Sequence, residues 1–458
     1  VLKRISALLA ALFLCAVLSG CSFVMFDAQA LMSPPKSNID QQSIHKLLQG
    51  SRQDITFIYP KSGEYRSAII MRDFTGDGRE DAIGFCALED DSVEVQFLVK
   101  SEEDVWKTVF TARNPATQVD RVCFGDLNGD GRSDVLIGWG STSGVTGRTA
   151  QVCAYLYDDA GDITEYTLGS YGEMTVTDFD DDGVDELFTA DKYVAPTEEG
   201  GEALPAKGRV YAYRDGAIQE IFSADADNSI TSYSAVTFGR LYPELSGIVL
   251  DGVKADGSMT TQIFVIDPVR GRLVNLPSGV NSETYQNPFS RPAAAPFLSR
   301  DINGDGVVEI PVTTLLPGIA DSVTPDFTSF LVAWSVYDEK DGARSVLSAL
   351  MNPVENYWFE LPYGLKGKIS ASNDVAKRTV TYTEVIPGKD GEVPLLGAPL
   401  FSIRVFTQSA WDSRGQTSGY ELLALQSDLV YGIQVLTSDA KYSYAIDRVK
   451  QNFRLISE

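Results

Sequence analysis

Apolar residues along this chain fall mostly into short runs separated by polar stretches rich in glycine and aspartate, the patterning of β-strands joined by tight loops. Ala68 to Met71 and Ala82 to Phe85 bracket one such stretch, and Val135 to Ile137 follows another. Past residue 352 the runs continue as Trp358 to Pro362, Arg378 to Glu384, Leu400 to Thr407 and Leu422 to Leu436, which predict an antiparallel sheet. Three segments carry other patterns. Ile39 to Leu48, with apolar residues at 44, 47 and 48, predicts one short helix. Tyr442 to Ile456 places Tyr444, Ile446, Val449, Phe453 and Ile456 mostly three or four apart, which predicts an amphipathic helix packed on the sheet. Ile5 to Leu18 is a continuous apolar run behind Lys3 and Arg4, the layout of a secretory signal.

The polar stretches repeat. Four nonapeptides share the pattern D-x-[DNT]-x-D-G-x-x-[DE], with oxygen-bearing side chains at positions 1, 3, 5 and 9. They are Asp73, Thr75, Asp77 and Asp81; Asp126, Asn128, Asp130 and Asp134; Asp178, Asp180, Asp182 and Glu186; and Asp301, Asn303, Asp305 and Glu309. Calcium takes about six to eight oxygens, and alternate residues of a tight acidic loop can turn theirs toward one centre. Position 7, which is Arg79, Arg132, Val184 or Val307, would add a backbone carbonyl. Position 6 is glycine each time, where a sharp turn in left-handed backbone costs least. The expectation is calcium, up to four ions. An EF-hand does not fit, because its bidentate Glu at position 12 is replaced by Gly84, Ile137, Thr189 or Val312 and the flanks are strands rather than helices.

The first three loops begin at residues 73, 126 and 178, close to one four-stranded blade apart, and the fourth begins two such steps later at 301. The skipped step holds Ala235 to Phe238, Gly239 to Gly247 and Ile248 to Leu250, a strand, a nonapeptide and a strand without the acids, as in a blade whose loop has lost its metal. From residue 60 to 350 these repeats resemble the FG-GAP or VCBS repeats of integrin-type β-propellers. That resemblance implies a mainly β fold, a calcium-loop β-propeller with five blades visible and six possible, followed by a small α+β domain. A strand such as Ile55 to Tyr59 could pair with the last blade to close the ring and remove its exposed edges. The C-terminal pattern is similar to PsbP-like α+β domains. The expected organisation is a signal over 1–20, a tether with the short helix over 21–50, the propeller over 51–351, and the sheet with its C-terminal helix over 352–458.

Leu18-Ser19-Gly20-Cys21 resembles the bacterial lipobox, which implies a lipid on Cys21 and a location outside the cytoplasmic membrane. With the Pro34-Pro35 segment and the repeats, the chain also looks like lipoproteins of Gram-positive bacteria. Two or three acyl chains, at about 0.8 kcal/mol per buried CH₂, would anchor the chain without a membrane-spanning helix. Three cysteines remain beyond it, Cys86, Cys123 and Cys153, each in or beside an apolar run; buried free thiols are expected, with one disulfide as the alternative.

The net charge of −25 argues against nucleic acid or an anionic membrane surface as partner and suits cations. A single histidine, His45, leaves no Ser-His-Asp or Cys-His arrangement. The Gly-rich run Gly138 to Gly147 lacks the G-K-[ST] ending of a phosphate loop and is expected to be a flexible turn. The five tryptophans are expected in the core or on blade faces rather than stacked on sugars. No catalytic constellation is recognisable. The expected role is a membrane-anchored binding or scaffold module for an extracellular or envelope protein or glycan, with a surface enzyme acting on polysaccharide, a hydrolase or lyase, as the alternative.

Overall fold

The computed structural model describes residues 39–456 apart from 53, 141–149, 197–201, 243–244, 268, 315, 317–328, 339–341, 389–393 and 415–417. The expected signal, Cys21, the Pro34-Pro35 segment and most of the Gly138 to Gly147 run therefore lie outside the described residues.

One helix, α1 (Ile39–Gln49), precedes six antiparallel sheets. Sheet 1 holds β1 (Thr56–Phe57), β2 (Ile69–Arg72), β3 (Asp81–Ala87), β4 (Val93–Lys100) and β5 (Trp106–Asn114). Sheet 2 holds β6 (Gln118–Gly125), β7 (Asp134–Gly140), β8 (Ala150–Tyr157) and β9 (Ile163–Tyr171). Sheet 3 holds β10 (Glu173–Thr177), β11 (Glu186–Ala190), β12 (Lys207–Arg214) and β13 (Ala217–Asp225). Sheet 4 holds β14 (Ile230–Tyr242), β15 (Leu245–Lys254), β16 (Met259–Asp267), β17 (Arg272–Leu276) and β18 (Ser290–Arg291). Sheet 5 begins with β19 (Ile310–Thr314), β20 (Phe330–Asp338), β21 (Gly342–Asn352) and β22 (Tyr357–Glu360). Sheet 6 holds β23 (Ile369–Asp374), β24 (Thr379–Ile386), β25 (Leu395–Thr407), β26 (Glu421–Gln426) and β27 (Leu429–Val435), with α2 (Gln408–Arg414) beside it. The chain ends on α3 (Ala440–Asn452) and β28 (Phe453–Leu455), which is the outer strand of sheet 5.

Each sheet buries side chains on both faces, so the core is a series of layers between successive sheets. Phe85 and Phe97 of sheet 1 meet Trp139 and Tyr155 of sheet 2, and Leu136 and Ala154 meet Leu187 and Tyr211 of sheet 3. Phe188 and Val210 then meet Ile248 and Phe264 of sheet 4, and Val249 and Ile263 meet Ile310 of sheet 5. Leu350 and Phe359 of sheet 5 meet Tyr382 and Phe401 of sheet 6. The first strands of sheets 2, 3 and 4 lie side by side, β6 against β10 and β10 against β14. The fold is mainly β, in antiparallel sheets that do not close into a barrel.

The structure departs from the expectations in four places. Residues 56–57 pair with β3 of their own sheet, Thr56 opposite Ala87 and Phe57 opposite Cys86, instead of with a last sheet. The short helix forms where expected but packs on sheet 1: Ile44 and Leu48 are wholly buried against Ala82, Cys86, Leu98 and Trp106, and the Trp106 indole donates to Asp40 at 2.9 Å. The C-terminal helix stops at Asn452, because Phe453 and Leu455 alternate inward with Arg454 outward, the two-residue period of a strand. Finally, sheet 5 crosses residue 352, where β21 ends on one side and its hydrogen-bonded neighbours β22 and β28 lie on the other.

The acid-free step at 239–247 shows what the loop adds. Without ligand residues β14 and β15 stay paired past it, Gly239 opposite Gly247 and Arg240 opposite Ser246, as one long hairpin.

Candidate metal centres

The first three nonapeptides join the first two long strands of sheets 1, 2 and 3, and the fourth leads into β19 with Arg300 bridging Glu309. All four fold alike. The carboxylate at position 1 accepts the backbone N–H of position 6 on one oxygen: Gly78 to Asp73 at 2.8 Å, Gly131 to Asp126 at 2.7 Å, Gly183 to Asp178 at 2.9 Å and Gly306 to Asp301 at 2.8 Å. The carboxylate at position 5 accepts from the N–H of position 7 in every loop. Position 6 takes positive φ as expected, and so does position 4, at Gly76, Gly129, Asp181 and Gly304. Aspartate is one of the few non-glycine residues that tolerates this backbone, so Asp181 conceals a requirement that glycine advertises in the other three loops.

Position 9 is the deepest. Asp81, Asp134, Glu186 and Glu309 are each at most 1% exposed at the start of β3, β7 and β11 or just before β19. One carboxylate oxygen accepts the N–H of position 2: Phe74 at 3.2 Å, Leu127 at 2.9 Å, Phe179 at 2.9 Å and Ile302 at 3.1 Å. The other oxygen differs between loops. Asp81 Oδ1 and Glu186 Oε1 are buried and accept nothing from the described residues, whereas Glu309 Oε1 accepts from the Asn303 amide at 3.1 Å. A buried anionic oxygen without a donor is costly unless a cation meets it. Burial pushes Asp81 up to about 6 and Asp134, Glu186 and Glu309 up to about 7.

Loop three comes nearest to a formed cage. One carboxylate oxygen from each of Asp178, Asp180 and Glu186 lies within 4.8 Å of the others, close enough to share an ion with ligand bonds of about 2.3 to 2.6 Å. Asp180 is also pushed up, by burial and then by Asp182 and Asp178. In loops one and two the residue at position 7 intervenes: Arg79 pairs with Asp77 at 2.5 Å, and Arg132 with Asp130 at 2.8 Å and with Asp159 at 2.7 Å. Val184 and Val307 cannot do this. The donor set fits calcium, all of it hard oxygen on a tight turn, with loop three the best fit.

Sequence reasoning treated the loops as separate, and the structure joins them. Asp185, at position 8 of loop three, accepts the Asp126 N–H of loop two at 2.9 Å and returns its own N–H to the Asp126 carbonyl at 2.9 Å. The same position of loop two, Ser133, accepts from Arg72 ahead of loop one at 3.3 Å. In loop four, Val308 donates to the Arg240 carbonyl and Arg240 donates to the Asp305 carbonyl at 2.7 Å. A Cβ on Gly76 would meet Arg132 Cγ at 2.8 Å, and one on Gly129 would meet Val184 at 3.0 Å, so position 4 of one loop touches position 7 of the next.

His45 packs edge-on to Phe57, with ring centres 5.3 Å apart. Cys86, Cys123 and Cys153 are free thiols pushed up to about 11 by burial. Trp106, Trp139, Trp334 and Trp411 are buried and Trp358 is half-buried. Among the described residues no helix is long and apolar enough to cross a membrane.

No protein-family model matches the chain, and no curated protein does. Among solved structures, the rhamnogalacturonan lyase YesW aligns with it over 67% of this chain and 57% of its own, at 10% identity and a TM-score of 0.27. The chain thus spans a little over half of that enzyme's length.

Proposed function

We propose that this chain is a calcium-stapled, propeller-like binding module of the FG-GAP or VCBS kind, held outside the cytoplasmic membrane by a lipid on Cys21 and serving an extracellular or envelope partner. The observation that carries the calcium reading is loop three, where three carboxylates converge and one buried Glu186 oxygen has no donor. The ordered stack of sheets, with a like loop entering sheets 1, 2, 3 and 5, supports the propeller-like arrangement. Nearly every clustered acid is absorbed by a loop, which favours a binding module over an enzyme.

Ligand chemistry ranks the sites. Loop three has four carboxylates and no arginine at position 7, and loop four has three carboxylates and a valine there. Loops one and two hold position 5 on an arginine, and loop one has only the Thr75 hydroxyl at position 3. Calorimetric titration of the chain from residue 22 should find up to four calcium sites, tightest at loop three and weakest at loop one. Asp182→Ala should remove the tightest site, and Asp77→Ala should cost least. A wild-type protein that takes up no calcium at millimolar concentration and melts identically in chelator would defeat this reading. For the anchor, Cys21→Ser should move the exported protein out of the detergent phase of a membrane partition, and retention there would defeat the assignment.

A further inference from the structure

A cavity of about 570 Å³ opens beside loop four, where Arg300 to Asn303 passes over the last strands of sheet 5. Its floor comes from one sheet face. Trp358 stands opposite Arg454 in the register of β22 and β28, and Glu360, the next residue on that face of β22, accepts from the Asn452 amide at 3.2 Å. Arg300 enters from the wall, its guanidinium 5.7 Å from the centre of the Trp334 ring, and donates to the Ile456 carbonyl at 3.3 Å.

The charges are the unusual part. In a chain of net charge −25, acids outnumber bases, yet two arginines line this one cavity and among the described residues neither forms an ion pair with a carboxylate. Among the described residues Arg454 donates only to the backbone carbonyls of Gln451 and Phe453, through Nη1, and none of them accepts from the rest of its fork. A guanidinium fork matches a carboxylate in two parallel hydrogen bonds. Trp358 offers an aromatic surface beside it, Asn303, Asn452 and Glu360 offer hydroxyl partners, and the volume lies in the range of small-ligand sites.

We propose that this cavity binds a carboxylate-bearing sugar, a hexuronate unit, with its carboxylate on Arg454 and Arg300 and its ring against Trp358. The inference deepens the binding-module reading and rests on it, but it does not require calcium in the loops. Asp301 lines the cavity and also belongs to loop four, so an ion there would offset the Asp301 charge and strengthen uronate binding.

The test is calorimetric titration of the chain from residue 22 with glucuronate trimers and with matching glucose trimers, in calcium and in chelator. Wild type should bind the acidic sugar and not the neutral one. Arg454→Gln, a change at an exposed side chain, should weaken binding about tenfold or more, the range expected for a lost charged hydrogen bond. Arg454→Lys should recover part of the loss, and the melting temperature of each variant verifies its fold. Equal affinity for acidic and neutral trimers, an unchanged affinity in Arg454→Gln, or no binding by folded wild type at millimolar sugar would each overturn the proposal. Because calcium uptake is read separately, uronate binding that persists in chelator supports the cavity even if the loops prove to be plain acidic turns.

Discussion

Asp81, Asp134, Glu186 and Glu309 each hold position 2 of their loop by a hydrogen bond, all from inside the protein. The spacing in the sequence names these acids. It does not show that they are buried, because burial depends on the strand that each one starts. Their pH behaviour follows from that burial. Without calcium their folded values, about 6 for Asp81 and about 7 for the other three, stand above the ordinary carboxylate range. A group raised on folding contributes stability that is fully present below its unfolded value and is lost as pH rises through the folded one. The calcium-free protein should therefore melt higher near pH 5 than near pH 7.5. Carboxyls lowered by hydrogen bonds to Arg79 or Ser92, such as Asp77 and Asp90, work the other way only at more acid pH. With calcium bound the ion must compete with these protons, so the slope should reverse. Melting curves across that range, with calcium and with chelator, check both signs, and Glu186→Gln should flatten the calcium-free fall with pH. A calcium-free melting point that climbs steadily with pH would refute the account.

The strands were legible because their apolar runs are short and bounded by glycine and aspartate; Ala68 to Met71 and Val135 to Ile137 fall within or beside β2 and β7 as expected. What failed was the assignment of partners. Residues 56–57 are as β-prone as many inner strands, and nothing local reveals that they pair with Cys86 and Ala87. Phe453 and Ile456 satisfy a helical spacing, but two inward residues on a strand satisfy the sheet edge as well, and the edge of β22 was available. That edge bears on the expected boundary at 352. Tyr357 and Phe359 pack into a layer with Leu350 on one side and Tyr382, Phe401 and Phe453 on the other, so a cut at 352 removes β21 from β22 and leaves this layer open to water. A fragment of residues 352–458 should show strand content by far-ultraviolet circular dichroism but no cooperative melt. One beginning at 300, which keeps β19 to β22 together, should melt cooperatively. A sharp transition in the shorter fragment would show that sheet 6 and α3 suffice as a unit.

At the scale of the whole molecule, loops one, two and three form a chain of contacts, which no single nonapeptide could show. Position 8 looked like filler in the sequence, since it is Glu80, Ser133, Asp185 or Val308 with no common chemistry. In the structure Asp185 of loop three clamps the backbone of Asp126, position 1 of loop two, through two hydrogen bonds. An ion bound at loop three through Val184 and Glu186 would fix Asp185 between them, and so fix Asp126 with it. Sites two and three should then be coupled, each binding more tightly when the other is filled, by an amount within the usual range of about 1 to 3 kcal/mol for linked sites. Because the ions bind the folded chain, free calcium at about a hundred times the dissociation constant should add about 2.7 kcal/mol per site, and the coupling makes the two contributions appear together. Asp185→Ala leaves all sixteen side-chain ligand positions in place. It should nevertheless lower the affinity of loop two several-fold while loop four, whose neighbour contact runs through Arg240, keeps its own. Calcium titration of Asp185→Ala, alone and with Asp182→Ala, measures this. If loop three is already empty in Asp182→Ala and Asp185→Ala still weakens loop two, the Asp185 contact acts directly on Asp126. If Asp185→Ala changes neither loop two nor its coupling to loop three, the loops are independent sites and the chain of contacts is only packing.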